Sequence, residues 1–318
     1  MQGDLDAWLG ALAGPDEEFV DRVWRLAVRR APEAEARERA LTKLGDGTLS
    51  RAGLLRELTG SAEFARVELL DAGLARAAAE RAKRGRPREL RADAASDERA
   101  IEIPWCLARY AGERRVLDAG YAFAEPAYLA GLTALGAGEL TGVDLSASEV
   151  PGLRSVVADV RQLPFPDGSF DLAFCISTLE HVGRDNEIYE VDARRETSGD
   201  EAALRELRRV LGHDGRLLVS VPTGLEDDQG WQLVRPPADW IALFERAGFI
   251  VYEDELYARD GTGWHAATLT EASAARYEGP GAGAVLLAEL HPRTLGSKLR
   301  LAVRDVRYRD DVRRSTVA

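Results

Sequence analysis

Hydrophobic positions follow two regimes along the chain. Through residues 17–80 they recur at helical spacing, with Phe19, Val23, Leu26 and Ala27 on one face and Trp24 beside them. "KLGDGTLS" breaks that pattern, and Ser50 is placed to cap "RAGLLREL". After "TGS", Ser61 caps a further helix whose Phe64, Val67, Asp71 and Leu74 fall on one side. Short helices with brief turns predict a small all-α bundle over residues 1–80. Residues 81–97, "RAKRGRPRELRADAASD", are charged, alanine-rich and poor in core residues, which predicts a linker.

From residue 98 the pattern changes to apolar runs of strand length separated by helical stretches. The strands it predicts are 114–120, 139–146, 154–160, 170–178, 215–222, 249–258 and 284–291. "DEAALRELRRVLG" and "PADWIALFERAG" supply helices between the later ones. Such alternation predicts an α/β, Rossmann-like domain over 98–292 with a seven-stranded, mostly parallel sheet. No crossover helix separates the last two strands, so they are expected to close the sheet as an antiparallel pair. Residues 293–318 read as a basic, helical tail.

Composition narrows the function. With 318 residues there is room for two domains, and 45% hydrophobic residues suffice for a packed core. A net charge of -12 argues against coating nucleic acid, because neutralising phosphates takes clustered cation. A small-molecule or glycan partner is compatible with it. Cys106 and Cys175 form no disulfide or zinc pattern, and Cys175 lies inside an apolar strand as a buried thiol. The acidic N-terminus is no secretory signal and no apolar run reaches membrane-spanning length, so a cytoplasmic protein is expected. The four histidines are scattered, which points to no metal.

Candidate chemistry begins at "RRVLDAGYAFAEPAYLAGL". An apolar strand ends at Asp118, and Gly120 stands where the chain must turn sharply under a ligand. Ala122 and Ala124 then occupy positions that an every-other-glycine loop would fill with glycine. Asp144, closing the next strand in "LTGVDLSAS", can accept two hydrogen bonds from ribose hydroxyls over that turn. Asp159, after the third strand, is placed to accept from an adenine amino group, with the Val160 backbone beside it. A nicotinamide dinucleotide site would share the turn and Asp144, but it predicts a glycine-rich turn and leaves Asp159 without a role.

These elements in order, with "LPFPDGSFDLAFCISTLEHV" and "LRELRRVLGHDGRLLVSVPTG", resemble the class I S-adenosylmethionine-dependent methyltransferases acting on small molecules. "EIPWCLARY" is similar to the entry helix of some of them, and the resemblance spans about residues 100–292. It implies S-adenosylmethionine as cofactor. Asp118, Gly120, Tyr121 and Ala122 would lie at its methionine end, Asp144 and Leu145 at the ribose, Asp159 and Val160 at the adenine, and Ser177 near the reactive end. Departures from the family pattern are Ala122, Ala124 and His213, the last in a turn where Pro-Gly-Gly is common.

Methyl transfer asks the protein for positioning, exclusion of water and often a base. His181 follows the fourth strand and is the first base candidate, which would give a rate rising with pH through a histidine-like ionisation. Asp185 with Asn186 is the alternative, while Glu180 is expected to orient a neighbour or face solvent. Tyr257, Trp264 and His265, in the Gly-flanked "YARDGTGWHAAT", could stack on a ring of the acceptor, and Trp231 and Arg235 sit in a possible lid. The acceptor is expected to be a small molecule or a saccharide hydroxyl, methylated on oxygen, with N- or C-methylation as rivals.

The N-terminal helices resemble a bacterial four-helix domain of unknown function often attached to glycosyltransferases. "FVDRVWRLAVRRAP", "LGDGTLSR" and "ELTGSAEF" carry that likeness, with Glu33, Ala34 and Glu35 where Asp and Gly are usual. It implies a glycan-related setting and a surface for self-association or protein docking. The alternative function is a non-catalytic scaffold of this fold that recruits a glycan-assembly partner.

Overall fold

Alternate residues of a strand point to opposite faces, and here both faces are covered. Val116, Leu172, Phe174 and Leu218 enter one apolar core, while Leu117, Ala173, Cys175, Leu217 and Val219 enter the other. The structure, a computed structural model, describes residues 12, 14–83, 85–87, 89–94, 96–187, 195–277, 281–298 and 301. Most of the 293–318 tail therefore lies outside the described residues.

The sheet comprises β1 (Arg115–Ala119), β2 (Glu139–Asp144), β3 (Arg154–Val157), β4 (Phe170–Ile176), β5 (Leu211–Pro222), β8 (Phe249–Asp260), β9 (Gly263–Ala266) and β10 (Ala284–Pro292). Their order is β3-β2-β1-β4-β5-β10-β8-β9. The pairs from β3 through β5 are parallel, and β10 runs antiparallel between β5 and β8. All seven predicted strands form. The eighth, β9, folds back on β8 where the sequence pattern predicts a Gly-flanked loop. β6 (Asp227–Asp228) and β7 (Leu233–Val234) make a small separate ribbon. Strand order reverses between β1 and β4, so their carboxyl ends open a crevice, the usual ligand position in open α/β sheets.

The N-terminal helices are α1 (Asp16–Val28), α2 (Ala34–Gly45), α3 (Arg51–Thr59) and α4 (Ala62–Ala82). Ser50 and Ser61 cap as their positions predict, accepting from Gly53 N–H at 3.0 Å and Phe64 N–H at 3.1 Å. Phe19, Val23 and Ala27 are buried, but Leu26 is 44% exposed, one position off the packed stripe. The first three helices enclose a core of their own, which Phe64 at the start of α4 joins. Further along α4, Leu70, Leu74 and Ala77 belong instead to the sheet's core. There α4 packs on α5 (Arg99–Ala108), with Gly73 facing Pro104 so closely that an added Cβ would come within 2.6 Å of its Cγ.

Ala92 and Ser96 lie at the β9 edge. Ala92 bridges Trp264, whose indole N–H donates to the Ser96 carbonyl at 3.0 Å, and Leu90 is buried. That covering protects an edge strand. The remaining helices are α6 (Pro126–Thr133), α7 (Gly199–Val210), α8 (Pro237–Arg246) and α9 (Leu269–Ala274). Among the described residues no helix is long and apolar enough to cross a membrane.

Candidate active site

The crevice is built from strand ends. β1 delivers Asp118, and the chain then turns at Gly120 with φ of 95°. A Cβ at Gly120 would collide with the Thr178 side chain, so glycine is required both by conformation and by space. β4 ends at Ile176, and Ser177 follows with φ of 45°, an uncommon angle for a non-glycine residue. Its N–H bonds the Ser220 hydroxyl at 3.1 Å, and its hydroxyl donates to buried Glu102 at 3.0 Å. Two strand ends and a helix thus pin this angle, as expected of strain held at a functional site.

A cavity of about 210 Å³ fills the crevice. Asp118, Gly120, Asp144, Leu145, Asp159, Val160, Ser177 and His181 all line it. Asp144 Oδ2 accepts from Ala122 N–H at 3.0 Å and Oδ1 from Ser146 N–H at 3.3 Å. Each oxygen keeps a second lone pair for a ligand hydroxyl. Burial raises the Asp144 carboxyl above its ordinary range, and these amides pull it back. Asp118 is 2% exposed and receives the Tyr128 hydroxyl; burial still pushes it up to about 7. Asp159 is gripped by Arg161, whose Nη2 lies 2.6 Å from Oδ2.

Tyr121 and Ala122 are not among the lining residues. The Tyr121 ring is buried over Gly142, with its hydroxyl on the Ser148 carbonyl at 3.1 Å, so it braces the turn from beneath. Ala122 acts through its backbone N–H on Asp144.

A second cavity of about 290 Å³ adjoins the first and shares Arg99, Phe123, Glu125, Ser177 and His181 with it. His181 stands at this junction, stacked on Trp231 at 5.2 Å between ring centroids. Its Nδ1 lies 3.0 Å from the Trp231 carbonyl, which fixes the proton on Nδ1 and the lone pair on Nε2. Burial depresses His181 to about 4 and raises Glu180 well above the carboxylate range. Both shifts disfavour an ion pair across their 3.8 Å contact.

Neither cavity is lined by Asp185, Arg235, Tyr257, Trp264 or His265. Asp185 pairs with Arg195, and Arg235 with Asp200 at 2.5 Å while lying over the Trp240 ring. Tyr257 is fully buried, donating to Glu255 at 2.6 Å, and Trp264 anchors the segment on β9. His265 contacts Glu271 at 2.7 Å, a partner that raises its pKa. The expected stacking surface is thus a packed hairpin. Sequence reasoning missed Arg66, Arg99, Phe123, Glu125, Gln232 and Tyr277, which come from five separate stretches of chain.

A family model described as a methyltransferase domain matches residues 117–219, from β1 into β5. That stretch of the chain is thus similar to a methyltransferase domain. An uncharacterised protein of Methanocaldococcus jannaschii is 37% identical over 110 residues, which is 33% of this chain and 41% of that relative. The match thus spans about two fifths of the relative's length. Among solved structures, 1,6-didemethyltoxoflavin-N1-methyltransferase of Burkholderia thailandensis, with its substrate and S-adenosylhomocysteine bound, is 18% identical. That likeness covers 83% of this chain and 93% of that one, with a TM-score of 0.40. A TehB-like SAM-dependent methyltransferase of Corynebacterium glutamicum is 20% identical over 60% of this chain and 87% of its own, with a TM-score of 0.37. Scores this low add nothing to what the strand order already says.

Proposed function

We propose that this protein transfers a methyl group from S-adenosylmethionine to a hydroxyl of a small molecule or saccharide. The observation that carries this reading is the Asp144 carboxylate, held by two backbone amides on the wall of a cavity that opens onto a second one at His181. When bound, the cofactor supplies a methyl group already activated by its sulfonium. Asp144 would hold the ribose hydroxyls, and Asp159 and Val160 the adenine edge. Asp118 lies at the methionine end, where a cationic amino group would draw its raised carboxyl back to the charged form.

The acceptor belongs in the second cavity. Trp231 and Tyr277, packed at 82° with ring centroids 6.3 Å apart, are among its lining residues. His181 is neutral and directs its Nε2 lone pair away from the Trp231 carbonyl, so it can take the hydroxyl proton as the oxygen attacks. The saccharide preference is supported by the resemblance of the N-terminal helices to a domain attached to glycosyltransferases. The test is incubation with S-adenosylmethionine and a panel of sugars, phenols and amines, followed by mass spectrometry. A product heavier by one methyl on oxygen, with S-adenosylhomocysteine released, is expected. Transfer confined to nitrogen or carbon acceptors would overturn the hydroxyl assignment.

A further inference from the structure

The wall of the second cavity carries Asp97, Glu98, Glu125 and Glu180 against two cations, Arg66 and Arg99. Arg66 pairs with Asp97 at 2.7 Å and with Glu125, and Arg99 pairs with Glu98 at 2.8 Å. Those pairings engage both guanidiniums and three of the four carboxylates. Glu180 is left over. It is 4% exposed, and its Oε2 makes no hydrogen bond. Among the described residues, the basic atom within 4.0 Å of it is His181 Nε2 at 3.8 Å, beyond hydrogen-bond reach.

A buried carboxyl oxygen without a partner is costly, and such atoms recur where a ligand completes them. A cationic N–H donor suits this one best. The cavity holds an excess of carboxylates, and its two cations are engaged. A neutral hydroxyl could donate to Glu180 but would gain nothing from the excess negative charge.

We propose that the methyl acceptor carries a protonated amine, which Glu180 receives in this cavity. This inference rests on the methyltransferase reading above and narrows its acceptor to amine-bearing molecules, amino sugars among them. Burial favours the protonated form of the Glu180 carboxyl while the cavity is without ligand. Binding of the ammonium group then releases that proton to solvent and leaves a carboxylate paired with the cation.

Calorimetry with matched probes tests it, glucosamine against glucose and tyramine against tyrosol, titrated into the full chain with and without S-adenosylhomocysteine. The expected result is that at least one amine binds, that its alcohol partner binds at least about tenfold more weakly, and that titrations in buffers of different ionisation enthalpy show release of up to about one proton per site. Amine affinity should also rise with pH. Glu180→Gln, which keeps the shape and removes the charge, should weaken amine binding about 10- to 100-fold and leave S-adenosylhomocysteine affinity unchanged. Equal binding of the alcohols, an absence of proton release, or failure of both amines would overturn the inference. Failure of S-adenosylhomocysteine to bind would instead count against the methyltransferase reading, and the amine titrations of the protein alone would still decide this one. Should Glu180→Gln not fold, the wild-type pH dependence and proton count carry the test.

Discussion

His181 shows how much a residue's role depends on its surroundings. As a free side chain it would titrate near neutrality, and the rate would follow it. Buried against Trp231, its pKa falls to about 4. The folded group is thus neutral, and able to accept a proton, at every pH above that value. The rate should therefore show no limb from His181 between about pH 5 and 8 and should fall only as pH drops towards 4. His181→Ala should lower turnover about 10²- to 10⁴-fold while S-adenosylhomocysteine affinity barely changes, as measured by steady-state kinetics and calorimetry. A wild-type limb near pH 6.5 would mean that the ring is solvated in the working enzyme. Asp118, Asp144 and Asp159 were legible because each lies at or just beyond the end of a strand, and strand ends can be read from a single stretch of sequence. Glu180 was not, because its meaning lies in what it lacks: the partners it might have had are engaged elsewhere, which only the fold reveals.

At the scale of elements, strand positions were legible because burial on both faces leaves nearly continuous apolar runs, as in "FDLAFCI" and "AVLLAEL". The hairpin of β8 and β9 was not, since β9 has only 4 residues, too few to show alternation. Trp264 there looked like ligand-stacking surface, but its ring is 1% exposed and its N–H holds Ser96. The crossing of α4 over α5 was equally hidden. It depends on Gly73 admitting Pro104, a pairing between distant residues that no local pattern reports. Since α5 also carries Arg99 and Ile103 to the cavity, the crossing sets the site. Gly73→Val should destabilise the fold by about 1–3 kcal/mol through overpacking, seen as a lowered denaturation midpoint, and should weaken cofactor binding. An unchanged midpoint would show that α4 is free to move off the sheet.

Across the whole molecule, the division into a helical unit, a linker and a catalytic domain is a proposal that the packing refines. The core of α1 to α3 is separate from that of the sheet, whereas α4 shares the sheet's core and supplies Arg66 to the second cavity. A chain starting at residue 62 should therefore fold and bind S-adenosylhomocysteine, with some loss from exposing Phe64. One starting at residue 98 should be insoluble or unable to bind, because Leu107, Pro104 and the β9 edge would be uncovered. Equal behaviour of the two truncations in a solubility and calorimetry assay would place the boundary elsewhere. The central claim is that the crevice between β1 and β4 holds S-adenosylmethionine through Asp144. Calorimetric titration of S-adenosylhomocysteine into the wild type and into Asp144→Ala tests it most directly. The account predicts saturable binding by the wild type, weakened in the mutant by about 1–3 kcal/mol, the loss of a charge-assisted hydrogen-bond pair. A folded Asp144→Ala protein with undiminished affinity, or a folded wild type that does not bind, would contradict it.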